Sequence, residues 1–158
     1  MKRFAIILVI FSLTFLWCAS AMAQVAIDYS GKEFNELVDY NYWLKSPHEG
    51  VEVDSSILYF NKYSHSVIFH YPVSFTGAKF NSKAEFWSAK FDSFVIFKDA
   101  IFCNEVTFYK SNFKSEASFY NVTFDSTAVF RNTHFRFNAI FARDKFYFDA
   151  NFQFAEYN

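Results

Sequence analysis

The sequence predicts an all-β fold, a solenoid of very short strands wound around stacked phenylalanine rings. Three observations carry that expectation. Phenylalanine occurs 25 times in 158 residues and aromatic residues make up 24% of the chain, a bias that points to a repeated structural device. Phenylalanine then recurs at Phe69, Phe75, Phe80, Phe86, Phe91, Phe97, Phe102, Phe108, Phe113, Phe119, Phe124, Phe130, Phe135, Phe141, Phe146 and Phe152, with spacings that alternate between six and five residues without a slip. Two positions before each of these rings stands a small or β-branched residue, from Val67 and Val73 through to Ala150, with Asp144 as the exception.

The spacing excludes the common alternatives. An amphipathic helix places apolar residues three and four apart, and a plain strand alternates at two over a longer run. Here each unit is a short alternation, small-x-Phe, followed by two or three polar residues. That is one tiny strand and a corner. Alternate strand residues share a face, so the small residue and the ring both point inward. The corners carry turn formers such as Ser82, Ser88, Asp99, Asn104, Asn121 and Asn132.

Ala155 and Tyr157 continue the phase, and no C-terminal cap is expected. An open end presents unpaired N–H and C=O groups beside aromatic rings. Homodimerisation through that end is one answer, and a prematurely ended reading frame is another.

These small-x-Phe-x-x units resemble the pentapeptide-repeat family, whose usual pattern is Ala-(Asp/Asn)-Leu-x-x with Phe often at the centre. The likeness covers about residues 65–158 and is closest to an eleven-residue subtype, since every second unit has six residues. It implies a right-handed quadrilateral β-helix with four repeats per coil, hence a 22-residue coil and about four coils. Stacked strands about 4.8 Å apart make such an array ~20 Å tall. Each buried phenylalanine contributes roughly 2–3 kcal/mol, which chain ordering largely opposes. An isolated coil is therefore not expected to fold without neighbours.

The N-terminal part reads differently. Lys2 and Arg3, an apolar stretch from Phe4 to Trp17 and the small-x-small site Ala21-Met22-Ala23 form an export signal over residues 1–23, cleaved after Ala23. A membrane association is expected only if this segment stays uncleaved. Acylation at Cys18 is disfavoured by the bulky Trp17 before it. Export implies a periplasmic or extracellular place in a bacterial setting. Residues 24–66 read as an N-terminal cap, with a helix over about 32–44. Phe34, Leu37, Val38 and Trp43 form its apolar side and Ser30 its N-cap. Ile57, Leu58, Tyr59 and Phe60 form a short apolar strand or degenerate first coil, and the β-helix proper occupies 67–158.

A 22-residue coil also sets the outer columns. Trp87, Tyr109 and Arg131 are expected to line up on one face as a candidate binding strip, because exposed aromatics in a row are unusual. Lys98, Tyr120 and Ala142 form a second column, and Asp92, Lys114 and Arg136 a third. Asn81, Cys103, Asp125 and Tyr147 form the fourth. Each column also reads as an ordinary solvated ladder.

No catalytic constellation emerges, and neither metal nor cofactor is expected. His48, His65, His70 and His134 are the histidines of the chain. His65 and His70 flank one strand with no cysteine or carboxylate cluster near them in sequence. Cys103, outward-facing, has no partner cysteine in the mature chain, which excludes an internal disulfide. Asp144 in an inward position is expected to mark local fraying.

Removing residues 1–23 takes Lys2 and Arg3 and shifts the formal net charge from −1 to −3, no footprint for nucleic acid. The chain therefore reads as an exported structural scaffold or protein-interaction module with an unknown protein or envelope partner. The alternative is a glycan- or envelope-binding module using the aromatic strip. The resemblance also brings in topoisomerase-protecting DNA mimics, against which the export signal and the mixed charge of the columns argue.

Overall fold

A computed structural model describes residues 27–45, 49–59 and 62–158. The export signal, its cleavage site, Cys18, His48 and Phe60 lie outside the described residues. The first elements are β1 (Ile27–Asp28), β2 (Glu33–Phe34), α1 (Tyr40–Lys45), β3 (Val51–Tyr59) and β4 (Lys62–Phe69). Sixteen strands of two residues each follow, from β5 (Val73–Ser74) to β20 (Glu156–Tyr157).

The short strands stack in parallel on four faces of a β-solenoid of about four turns. The first face runs through Val73–Ser74 and Val95–Ile96, the second through Lys79–Phe80 and Ile101–Phe102. The third runs through Ala84–Glu85 and Val106–Thr107, the fourth through Lys90–Phe91 and Asn112–Phe113. In each pair the partners lie 22 residues apart, which places ring over ring. Such strands hold only because the next turn supplies their hydrogen bonds: Phe75 N–H donates to the Ile96 carbonyl at 2.7 Å, and Phe86 N–H to that of Thr107 at 2.8 Å.

The core is the column of rings inside. The thirteen phased phenylalanines from Phe69 to Phe135 are at most 1% exposed, whereas Phe94, out of phase, is 43% exposed. Rings one turn apart lie face to face, as Phe91 and Phe113 do at 4.7 Å with planes 1° apart. That separation is set by the spacing of the backbone ladder. Rings of opposite faces meet edge-on, as Phe108 and Phe119 do at 5.6 Å and 83°, so the positive ring edge faces the negative ring face. Phe141 and Phe152 are partly buried and Phe146 is 36% exposed. Their turn has a described neighbour on one side only.

Two inward hydroxyls replace alanine without a polar penalty. Ser111 donates to the Phe86 carbonyl at 2.5 Å and Thr133 to the Phe108 carbonyl at 2.8 Å, which satisfies groups that would otherwise be buried unpaired.

The N-terminal segment corrects two expectations. The helix spans Tyr40–Lys45, not 32–44, and its N-cap is Asp39, not Ser30. The Asp39 carboxylate accepts the N–H groups of Asn41 at 2.8 Å and Tyr42 at 3.1 Å. The residues before it are solenoid. Tyr29 stacks on Phe75 at 5.3 Å, Phe34 on Phe80 at 4.5 Å, and Val38 bridges Ala84. These partners lie 46 residues apart because a helix and a hairpin are inserted before the chain rejoins the array.

For Ile57, Leu58 and Tyr59 the strand alternative holds and the degenerate first coil is the second correction. They belong to β3, which runs antiparallel to β4 as a long hairpin arm with a register shift between Asp54 and Ile57. They are not a coil, because the chain reverses instead of turning a corner. Trp43, 1% exposed, meets Phe69 edge-on at 5.2 Å and covers the N-terminal side of the rings.

Candidate functional site

The corners decide what the outside presents. After the first and third faces only two residues separate the ring from the next small residue. The second of these sits at positive φ every eleven residues: Gly77 (65°), Ser88 (53°), Asp99 (58°), Lys110 (58°), Asn121 (57°), Asn132 (55°), Arg143 (62°) and Phe154 (58°). The small residue's N–H returns to the ring residue's carbonyl, as Ala89 does to Phe86 at 3.1 Å and Ser111 to Phe108 at 2.9 Å. That is a four-residue turn with positive φ at its third position, a place suited to glycine or asparagine. At the edge between the first and second faces the column reads Gly77, Asp99, Asn121, Arg143. Between the third and fourth faces it reads Ser88, Lys110, Asn132, Phe154.

The second of these edges holds the expected strip. Trp87 and Tyr109 lie parallel within 19°, centroids 6.5 Å apart, and the Arg131 guanidinium sits 5.9 Å from the Tyr109 ring and 5.9 Å from the Phe154 ring. Trp87 and Tyr109 are half-buried, and each uses part of its π-face on its column neighbour.

Beside the strip runs a groove of about 630 Å³. Its walls are the left-handed turn residues Ser88, Lys110, Asn132 and Phe154 and the outward residues of the fourth face, Lys90, Asn112, His134 and Glu156. His134 Nδ1 and Glu156 Oε2 pair at 2.9 Å, and Lys110 Nζ lies 5.4 Å from the centroid of the Tyr109 ring. Phe154 is 62% exposed. This groove was not anticipated from sequence. Its signal was the eleven-residue recurrence of the turn position itself.

The remaining columns are ladders of local pairs. Along the fourth face Glu52 and Asp92 flank His70 at 3.1 and 2.9 Å, and Lys114 meets Asp92 at 2.8 Å. The expectation that no carboxylate cluster lies near His70 is therefore corrected: Asp92 lies one turn away, and the antiparallel β3 brings Glu52 alongside. The hydrogen bond to Glu52 and the pairing with Asp92 raise the His70 imidazole above its ordinary value.

Cys103 is half-buried with Sγ 3.6 Å from Asn81 Oδ1, and Arg143 lies over the Tyr120 ring at 5.7 Å. Among the described residues no group of three or more His, Cys, Asp or Glu side chains could hold a metal ion.

Asp144 does not fray the coil. Its strand, Lys145–Phe146, stays paired with Thr123–Phe124, and its carboxylate accepts the Val122 N–H at 2.7 Å. A backbone donor, not Arg143 or Lys145, is its partner. Burial pushes this carboxyl up to about 6, against the pull of that hydrogen bond.

Residues 75–123 match the family model described as pentapeptide repeats, with nine copies. No curated protein and no solved structure matched the chain. The eleven-residue alternation, the four-faced stack of inward phenylalanines and this match together place the chain in the pentapeptide-repeat family.

Proposed function

We propose that the protein is an exported, non-catalytic interaction module, a rigid rod that presents the edge between its third and fourth faces to a partner in the cell envelope. The observation that carries this reading is the Trp87–Tyr109–Arg131 column beside the groove. It is an aromatic and cationic strip, with Trp87 stacked on Tyr109 and Arg131 against the Tyr109 ring. The export part rests on Lys2, Arg3, the apolar run behind them and the Ala21-Met22-Ala23 site. A repeat solenoid suits such a role, because its side chains sit at fixed spacing on backbone held from both sides.

A DNA-mimic reading needs a continuous acidic column. The fourth face instead sets Lys114 against Asp92, and the His70 imidazole between Glu52 and Asp92. The test is recovery of a partner from an envelope extract by the wild-type protein and by a Trp87→Ala/Tyr109→Ala double variant of unchanged β circular dichroism. A partner recovered by the first and lost by the second supports the strip. Equal recovery by both removes the edge from the account.

A further inference from the structure

We propose that His70 is a proton-operated clamp that fastens the β3–β4 arm to the solenoid, closed while both imidazole nitrogens carry hydrogen and slackened when one hydrogen is lost. The clamp sits where the fourth face ends, across that face from the Trp87–Tyr109 edge, and is independent of what that edge binds.

The arm hangs on few contacts. β3 joins its sheet through β4, and β4 joins the next turn through Ile68 and Phe69, set against Lys90 and Phe91. His70 follows at that junction. Its N–H donates to the Gly50 carbonyl at 2.8 Å. Gly50 holds φ of 81°, and the Tyr71 ring fills the place where a Cβ would stand, so the chain enters β3 along one path. Glu52, two residues on, thereby meets His70 Nε2 at 3.1 Å, while Asp92 of the next turn meets Nδ1 at 2.9 Å. Lys114 lies 2.8 Å from Asp92 on the turn beyond. The Glu52–His70–Asp92 chain is a direct side-chain link from the outer strand of the arm to the turn below.

Two carboxylates on two ring nitrogens decide which form of the imidazole fits. An ionised carboxylate only accepts hydrogen, and a neutral imidazole has one N–H. The neutral ring serves one carboxylate and turns a lone pair toward the other. The cationic ring donates to both, with charge assistance at each. His134, on the same face, shows the contrast. Its Nδ1 meets Glu156 at 2.9 Å, a single contact that a neutral ring can make.

The direction of the switch follows. The hydrogen bond to Glu52 outweighs burial, Asp92 adds to it, and the His70 imidazole is raised above 6.5. Burial opposes ionisation of Asp92, yet Lys114 and His70 hold its carboxyl below the ordinary value. The clamp is therefore closed at a pH of about 6 and loosens as pH rises through the raised imidazole value. Lys45 of α1, Glu49 ahead of β3 and Lys90 of the next turn are further charges on the elements packed here. Asp54, Lys62 and His65 lie along the arm strands.

The experiment is amide hydrogen exchange of the purified protein at pH about 6 and about 8.5, read as protection factors, which remove the intrinsic pH dependence of exchange. Nitrogen NMR shifts of the imidazoles are recorded over the same range. Protection over residues 51–54 and at the His70 amide is expected to fall about threefold or more between the two conditions, the scale of partly exposed charge pairs. Glu52→Gln and Asp92→Asn each leave the ring one carboxylate to serve, and each should remove the fall. His65→Gln and His134→Gln should keep it. Matching β circular dichroism for all variants separates a lost clamp from a lost fold.

The clamp is overturned if His70 titrates at or below 6.5, or if the arm is equally protected at both pH values. It is also overturned if both one-carboxylate variants keep the wild-type fall, or if His65→Gln removes it. Loss of protection confined to the last turn, where Asp144 titrates, equally contradicts it.

Discussion

Trp43 meets Phe69 edge-on, with ring centroids 5.2 Å apart and planes at 86°. The contact joins a six-residue helix to the first ring of the repeat array. Asp39 caps the helix and so fixes the direction in which Trp43 leaves it. Tyr29, Tyr42 and Phe75 complete the packing around the indole. Truncating Trp43 to alanine removes an almost fully buried ring, and the loss should be about 3–5 kcal/mol. Chemical denaturation measures it. A change under ~1 kcal/mol would mean that the N-terminal rings do not depend on this cover.

The left-handed turn column makes opposite predictions at its two ends. Gly77 has φ of 65° and open space where a Cβ would stand, so Gly77→Ala meets no clash. It should still cost about 1–2 kcal/mol, from backbone conformation alone. Arg143 occupies the equivalent position at 62°. Arg143→Gly should stabilise, by up to about 1 kcal/mol, because the strain goes while only a contact with the Tyr120 ring is lost. Melting curves of the two variants, moving in opposite directions, check the turn assignment.

Much of this architecture was legible in the sequence, because a two-residue strand leaves few places for a ring. The five-and-six spacing placed Phe69 through Phe152 in register without reference to anything beyond the chain. The leading turn was hidden for a physical reason. Only Ile27, Tyr29, Phe34 and Val38 mark it, Lys32 stands where the later turns hold a small residue, and an insertion breaks the phase before Phe69. Phe34, Val38 and Trp43 share a helical spacing by coincidence, so a helix absorbed residues that belong to two different devices. The groove escaped because its walls come from turn conformation. Lys110 and Phe154 are not residues from which positive φ is read.

Stability should depend on pH through Asp144. Its folded carboxyl is raised from 3.8 to about 6, so between those values the folded chain holds a proton that the unfolded chain has lost. Stability therefore falls as pH rises through that window and is regained on acidification. Asp144→Asn keeps an acceptor for the Val122 N–H and removes the titration, so its stability should be flat over the same range. His70, raised by Glu52 and Asp92, acts in the same direction but above its ordinary value of 6.5. Denaturation midpoints at pH 4.5, about 6 and 7.5 for the wild type and for Asp144→Asn separate the two groups.

The central claim is that each repeat buries its phenylalanine and turns the residue before it outward. Asn112 and Phe113 are neighbours on one two-residue strand in the middle of the array, and Phe113 is 0% exposed. Placing a carboxylate at each position in turn tests that claim most directly. Phe113→Asp puts an unpaired charge among stacked rings and should abolish the β circular dichroism and the cooperative melt. Asn112→Asp should leave both close to wild type. A Phe113→Asp protein with full β signal and an unchanged melting point would contradict the account.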